Sequence, residues 1–174
     1  MENDIADSLT GMSLSFWTQG CPHRCKGCHN PETWDFNGGK ELPDDYVQKT
    51  IDSLRLNGIK RDLSILGGEP LCDQNIDIVF NLIEGVLKVY PDTKIYLWTG
   101  YTIDQLIARQ DPKIISILNS LYILVDGPFI LEQRNTLLPL RGSENQRILY
   151  AEDIRDYTAV ENGGLSCQKQ MQKH

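Results

Sequence analysis

Long apolar runs are missing from this sequence. The longest, such as LYILV at 121–125, fall far short of the roughly twenty residues that a membrane-spanning helix needs. The acidic opening MENDIADS also has no apolar core of the kind a secretory signal carries. A basic surplus is missing as well: 17 Lys and Arg stand against 24 Asp and Glu, a net charge of -7, whereas a general nucleic-acid surface requires clustered cations. The expected setting is cytoplasmic, with small molecules or proteins as partners, no nucleic acid and no membrane. The cysteines do not pair off: there are five, an odd number, and without a secretory signal they point to metal binding or redox chemistry rather than a disulfide framework. Internal repeats and low-complexity blocks are absent. What remains is 174 residues, 40% apolar and 24% charged, which suits one domain with a sizeable core, or a domain plus a tail.

Short β-rich runs at 14–18, 63–66, 94–99, 121–125 and 146–150 alternate with segments of helical period. The stretch 43–58 begins with Pro43, carries Val47, Ile51 and Leu54 on one face and meets Gly58 where a helix should stop. The stretch 75–91 repeats the pattern with Ile76, Val79, Phe80, Ile83 and Leu87 before Pro91. Shorter helices are predicted at 102–109 and 112–119. Strands separated by helices imply right-handed crossovers and a mostly parallel sheet, buried on both faces or curled into part of a barrel. Chemistry in such folds collects at the carboxyl ends of the strands. From about Glu152 the pattern is lost, and ENGGLSCQKQMQKH reads as a flexible tail.

Three of the cysteines, Cys21, Cys25 and Cys28, fall within eight residues just after the first predicted strand. Gly20 and Gly27 let the backbone curl closely there, and Pro22 stiffens the turn. The C-x3-C-x2-C spacing has three readings. A structural zinc site would recruit His23 or His29 as fourth ligand, although zinc sites usually have two ligand pairs a dozen or more residues apart. An electron carrier of ferredoxin type would need a fourth thiolate from Cys72 or Cys167; the first reads as buried filler and the second as an exposed thiol. The third reading is a four-iron cluster with three protein ligands and one iron open to a substrate or cofactor. DLSILGGEP, at 62–70, is a strand running into two glycines, a pattern that also describes an ordinary strand-to-helix turn. Pro70 biases Glu69 away from helical angles and suits the first residue of the next helix.

CPHRCKGC joined to GGEP at 67–70 resembles the radical S-adenosylmethionine superfamily. The resemblance implies that Cys21, Cys25 and Cys28 hold a 4Fe-4S cluster, with S-adenosylmethionine chelating the open iron through its amino and carboxylate groups. An electron passed to the sulfonium then yields methionine and a 5'-deoxyadenosyl radical. By the same resemblance Gly67, Gly68 and Glu69 line the methionine end of the cofactor, while Gly27, Cys28 and His29 contact its other side. Gly27 stands where the superfamily commonly has an aromatic residue, which moves the adenine contact to His29.

HNPETWDFNGG after the cysteines, LWTGYT at 97–102, VDGPF at 125–129 and RGSENQR at 141–147 are similar to the glycyl-radical activases that serve anaerobic ribonucleoside-triphosphate reductase, over about 16–146. That family implies an α/β partial barrel, half to three-quarters closed, here placed at 1–151, the patternless 152–174 being read as a flexible extension. It implies hydrogen abstraction from one glycine of the reductase and an electron donor such as flavodoxin or ferredoxin. Thr99 and Asp126 end the third and fourth predicted strands, where related activases bind ribose or a monovalent cation; Asp126 reads equally well as a turn residue before Gly127. Arg141 and Arg147 suit a bidentate grip on a cofactor carboxylate, contact with the partner, or a solvated surface. Arg24 and Lys26 would favour a reduced cluster, and His23 reads as a loop residue. Alternatives are a pyruvate formate-lyase activase, a 7-carboxy-7-deazaguanine synthase, or a zinc-stabilised binding module.

Overall fold

The computed structural model describes residues 5–8 and 11–162, with side-chain surroundings from 11 to 159. Six strands, β1 (Ile5–Ser8), β2 (Gly11–Thr18), β3 (Asp62–Gly67), β4 (Ile95–Trp98), β5 (Ile123–Asp126) and β6 (Arg147–Tyr150), form one sheet in sequential order. β2 to β5 are parallel, and β1 and β6 join antiparallel at the two edges. The parallel pairs need crossovers, which α1 (Tyr46–Leu54), α2 (Ile76–Val89) and the pair α3 (Ile103–Ile107) and α4 (Pro112–Ser120) supply. Residues 127–146 contain no crossover helix, and β6 accordingly runs back against β5. The sheet is open: among the described residues β1 and β6 do not pair with each other.

Sequential order with right-handed crossovers sends every helix to the same face, and the core follows that rule. Leu14, Phe16, Leu63, Ile65, Ile95, Leu97, Leu124 and Leu149 alternate along the strands and pack against Ile51 and Leu54 of α1, Val79, Leu82, Ile83 and Val86 of α2, and Ile103, Ile114 and Ile117 of α3 and α4. The residues between them face the other way. There Tyr96, Ile123 and Val125 form a smaller cluster with Trp98, Leu140 and Ile148, and the hydroxyls of Ser13 and Ser64 meet at 2.8 Å. The 127–146 segment crosses this face, held where the Trp98 indole N–H donates to the Leu140 carbonyl at 2.6 Å.

All five expected strands and four expected helices are present, with shifted ends. α1 stops at Leu54, before a short 3-10 turn at Leu56–Gly58, because the Arg61 guanidinium takes the carbonyls of Ser53, Leu56 and Ile59. Gly58 therefore ends that turn rather than the helix. Pro70 lies in a turn, and α2 starts only at Ile76. Two elements were not expected. β1 is one, and α5 (Ala151–Asn162) is the other. α5 corrects the placement of a flexible extension from residue 152: Ile154 is fully buried in the main core, and the Thr158 hydroxyl donates to Asn119 at 2.9 Å. Its pattern was hard to read because only one side of a charged helix is used. The rest of that expectation, 163–174, lies outside the described residues. No described helix is long and apolar enough to cross a membrane.

Candidate functional site

The cysteine loop leaves the carboxyl end of β2 and is closed by its own backbone. Gly20 N–H donates to the Thr33 carbonyl at 2.8 Å and Cys21 N–H to Trp34 at 3.2 Å. The Gln19 amide spans the base, donating to the carbonyls of Glu32 and Asp35. Cys21, Cys25 and Cys28 are free thiols, each partly exposed. Backbone amides point at their sulfurs: those of His23 and Arg24 at Cys21, that of Phe129 at Cys25, and that of Asn30 at Cys28 at 3.4 Å. Burial pushes the Cys21 and Cys25 thiols up, and these amides partly offset it. Sulfurs surrounded by N–H donors are a setting for thiolates bound to a cationic centre. In a cluster each thiolate takes its own iron, and three thiols on one loop, each met by backbone N–H donors, have the chemistry for such a group.

The glycine turn at the end of β3 is bonded directly to this loop. Gly68 N–H donates to the Thr18 carbonyl at 2.9 Å and Glu69 N–H to Gly20 at 2.8 Å. Gly67 adopts φ +107°, and a Cβ there would meet the Thr18 carbonyl oxygen at 2.7 Å. A Cβ on Gly68 would drive into the Gly20 peptide, 2.9 Å from its carbonyl carbon. The glycines thus serve the close approach of two protein backbones. Asn75, just before α2, fastens the same junction by donating to the carbonyls of Gln19 and Glu69, each at 2.9 Å.

Glu69 is 1% exposed, and its carboxylate is a hub. Oε1 accepts from the Leu71 amide at 2.9 Å and the Thr99 hydroxyl at 2.7 Å; Oε2 accepts from the Gly100 amide at 2.7 Å and lies 3.1 Å from His23 Nε2. Glu69 and Thr99 are therefore brought together with the cysteine loop. Gly27 and His29 sit on that loop beneath the 127–146 segment: Leu131 occupies the space over Gly27, and the Phe129 ring lies 5.9 Å from that of His29. Phe129 thus lies beside the cysteine loop, its amide pointing at the Cys25 sulfur and its ring beside His29.

Asp126 ends β5 at the same side of the sheet, but both its oxygens have protein partners. The Arg147 guanidinium forks onto it at 2.9 and 2.5 Å, and the Ile103 amide at the start of α3 donates to it at 2.8 Å. That grip raises the Arg147 pKa further. Arg141 is also spent internally, donating to the Gln146 carbonyl at 2.7 Å. Arg147→Ala would strand a fully buried carboxylate on one amide bond, and a loss of about 2 kcal/mol is expected in denaturant unfolding. Arg147→Lys should recover only part, since an ammonium has no fork.

Sequence reading offered His23 only as a zinc-ligand candidate or a loop residue, and missed the roles of Gly100, Tyr101 and Asn75. The His23 ring stands edge-on to Tyr101, with centroids 4.5 Å apart, and covers Gly100, where a Cβ would meet His23 Cδ2 at 2.5 Å. His23 and Glu69 are 46 residues apart, so no local spacing signals their contact. Cys72 is buried in the turn before α2, and Cys167 lies outside the described residues.

An α/β sheet with three thiols on a strand-end loop, surrounded by amides and bonded to a glycine turn, defines an iron–sulfur domain, and residues 10–149 match the family model described as a 4Fe-4S single cluster domain. Curated relatives carry a more particular name, anaerobic ribonucleoside-triphosphate reductase-activating protein. That of Vibrio cholerae is 39% identical over 79% of this chain and 87% of its own length, and that of Escherichia coli K12 is 34% identical over 78% and 86%. That of phage T4 is 31% identical over 79% and 83%. The chain belongs to the family of anaerobic ribonucleoside-triphosphate reductase-activating proteins.

Proposed function

We propose that this chain is a radical S-adenosylmethionine activase that generates a glycyl radical on anaerobic ribonucleoside-triphosphate reductase, its open sheet being part of a β/α barrel. The observation that carries the reading is the bonding of the cysteine loop to the Gly67–Gly68–Glu69 turn through Thr18 and Gly20. In this reading Cys21, Cys25 and Cys28 hold a 4Fe-4S cluster with one iron left open. When bound, the cluster supplies one electron to the sulfonium of S-adenosylmethionine, whose cleavage releases methionine and a 5'-deoxyadenosyl radical able to take hydrogen from a glycine α-carbon. The chain's own residues orient and shield. Gly67, Gly68 and Glu69 border the methionine end, and Thr99 holds the Glu69 carboxylate in place. Gly27, Cys28 and His29 border the other side, with Phe129 and Leu131 excluding water behind them. Asp126 frames the end of β5. An electron donor such as flavodoxin or ferredoxin completes the system.

Incubating the reduced, cluster-loaded protein with S-adenosylmethionine and the anaerobic reductase is expected to give the oxygen-labile doublet paramagnetic signal of a glycyl radical. A signal with pyruvate formate-lyase alone would retain the chemistry and replace the partner. Cofactor cleavage with neither protein responding would point to a small-molecule substrate, and an absence of both cluster and cleavage would end the reading.

A further inference from the structure

We infer that His23 is a positioning residue, which through its bond to Glu69 sets the cysteine loop against the strand ends that receive the cofactor. The inference rests on the reading of Cys21, Cys25 and Cys28 as cluster ligands.

His23 lies between the first two of those cysteines. Its Nε2 reaches Glu69 Oε2 at 3.1 Å, across the gap between the loop after β2 and the turn after β3. Glu69 is held from several sides: it is 1% exposed, and the Leu71 and Gly100 amides and the Thr99 hydroxyl bond both oxygens. The strand ends before and after it are therefore already fixed, and His23 is the one side chain of the Cys21–Cys28 loop that this carboxylate receives. The ring has a prepared seat, with Gly100 supplying the space and Tyr101 the edge contact. The backbone bonds at Thr18 and Gly20 secure the loop only at its entry. Further along, between Cys21 and Cys25, the His23 side chain supplies the tie to β3 and β4.

Three thiolates suffice to retain a cluster, so losing this tie should not empty the site. It should let the loop drift relative to Gly67–Glu69 and degrade the fit of the cofactor. Outer contacts of this kind change affinity or activity by about 10–100-fold when removed.

Two variants separate the hydrogen bond from the packing. His23→Phe keeps a ring over Gly100 and beside Tyr101 but cannot bond Glu69. His23→Gln places an amide N–H close to the position of Nε2. Each is reconstituted anaerobically and analysed for iron and sulfide, for S-adenosylmethionine affinity by calorimetry, and for the change that S-adenosylmethionine makes in the paramagnetic spectrum of the reduced cluster. The expected result is equal iron in all three proteins, an affinity for S-adenosylmethionine about tenfold weaker in His23→Phe with a diminished spectral change, and recovery to within about threefold in His23→Gln. His23→Phe behaving as the parent protein would overturn the inference, as would His23→Phe and His23→Gln losing affinity equally, which would assign His23 to packing. Loss of iron from both variants would overturn it too, making His23 part of cluster retention. A parent protein with no cluster, or with a cluster whose spectrum ignores S-adenosylmethionine, would instead remove the functional reading beneath it.

Discussion

Alanine at any one of Cys21, Cys25 or Cys28 is expected to abolish cluster assembly on anaerobic reconstitution, with iron and acid-labile sulfide falling from about four each per chain to near zero. The magnitude follows from the ligand count. A cluster that keeps one iron open already has the fewest protein ligands consistent with that chemistry, and two thiolates leave two irons unheld. The amide donors at the three sulfurs would then face a partly empty loop. Cys72→Ala is the internal control. Cys72 is buried beside the Glu69 turn, where burial pushes its thiol up, and the functional reading gives it no iron to hold. Full iron content in that variant is expected, and its loss would show that Cys72 supplies a fourth ligand.

Gly68→Val is expected to have the second largest effect, of a kind the sequence alone does not suggest. A glycine that serves only to admit a cofactor could gain a side chain at the expense of cofactor binding, with fold and cluster retained. In the structure the missing side chain would enter the Gly20 peptide, and the Gly20 carbonyl is the acceptor for the Glu69 amide. Valine must push the cysteine loop off the end of β3, breaking that bond and dislodging Cys21 next to it. We expect a loss of about 3 kcal/mol in denaturant unfolding of the cluster-free protein and poor iron incorporation. Normal stability with a full cluster and impaired binding of S-adenosylmethionine would restore the simpler account of the glycine. The same logic makes Gly67→Ala costly, since it combines a left-handed φ with a clash at Thr18.

The strands and helices were legible in the sequence wherever burial is one-sided or complete. β4 and β5 are short apolar runs because a sheet strand covered on both faces must be apolar, β3 alternates Leu63 and Ile65 with Asp62 and Ser64, and α2 shows its buried stripe at helical spacing. α5 was missed because its core contacts among the described side chains, Ile154, Thr158 and the partly buried Tyr157, are interspersed with Glu152, Asp153, Arg155 and Asp156, which blurs the period. Likewise β1 is a four-residue edge strand with two polar positions, Asp7 and Ser8. The candidate site divides in the same way. The three cysteines and the GGEP turn are each local in sequence, so their spacing is visible. The roles of Arg147 and Phe129 are not, because each depends on a partner that only the fold supplies: Asp126 for the first, His29 and Cys25 for the second.

By itself, then, the sequence determined the alternation of strands and helices, the position of a three-thiol loop after a strand, and the family to which those motifs belong. All three are properties of neighbours along the chain, where spacing and residue type act directly. Only the tertiary structure decided that Gly68 is demanded by the backbone of Gly20, that Glu69 is a buried four-bond hub, and that His23 reaches it across 46 residues. Hydrogen bonds and steric exclusion act over about 3 Å, and folding alone brings residues that distant in sequence within that range.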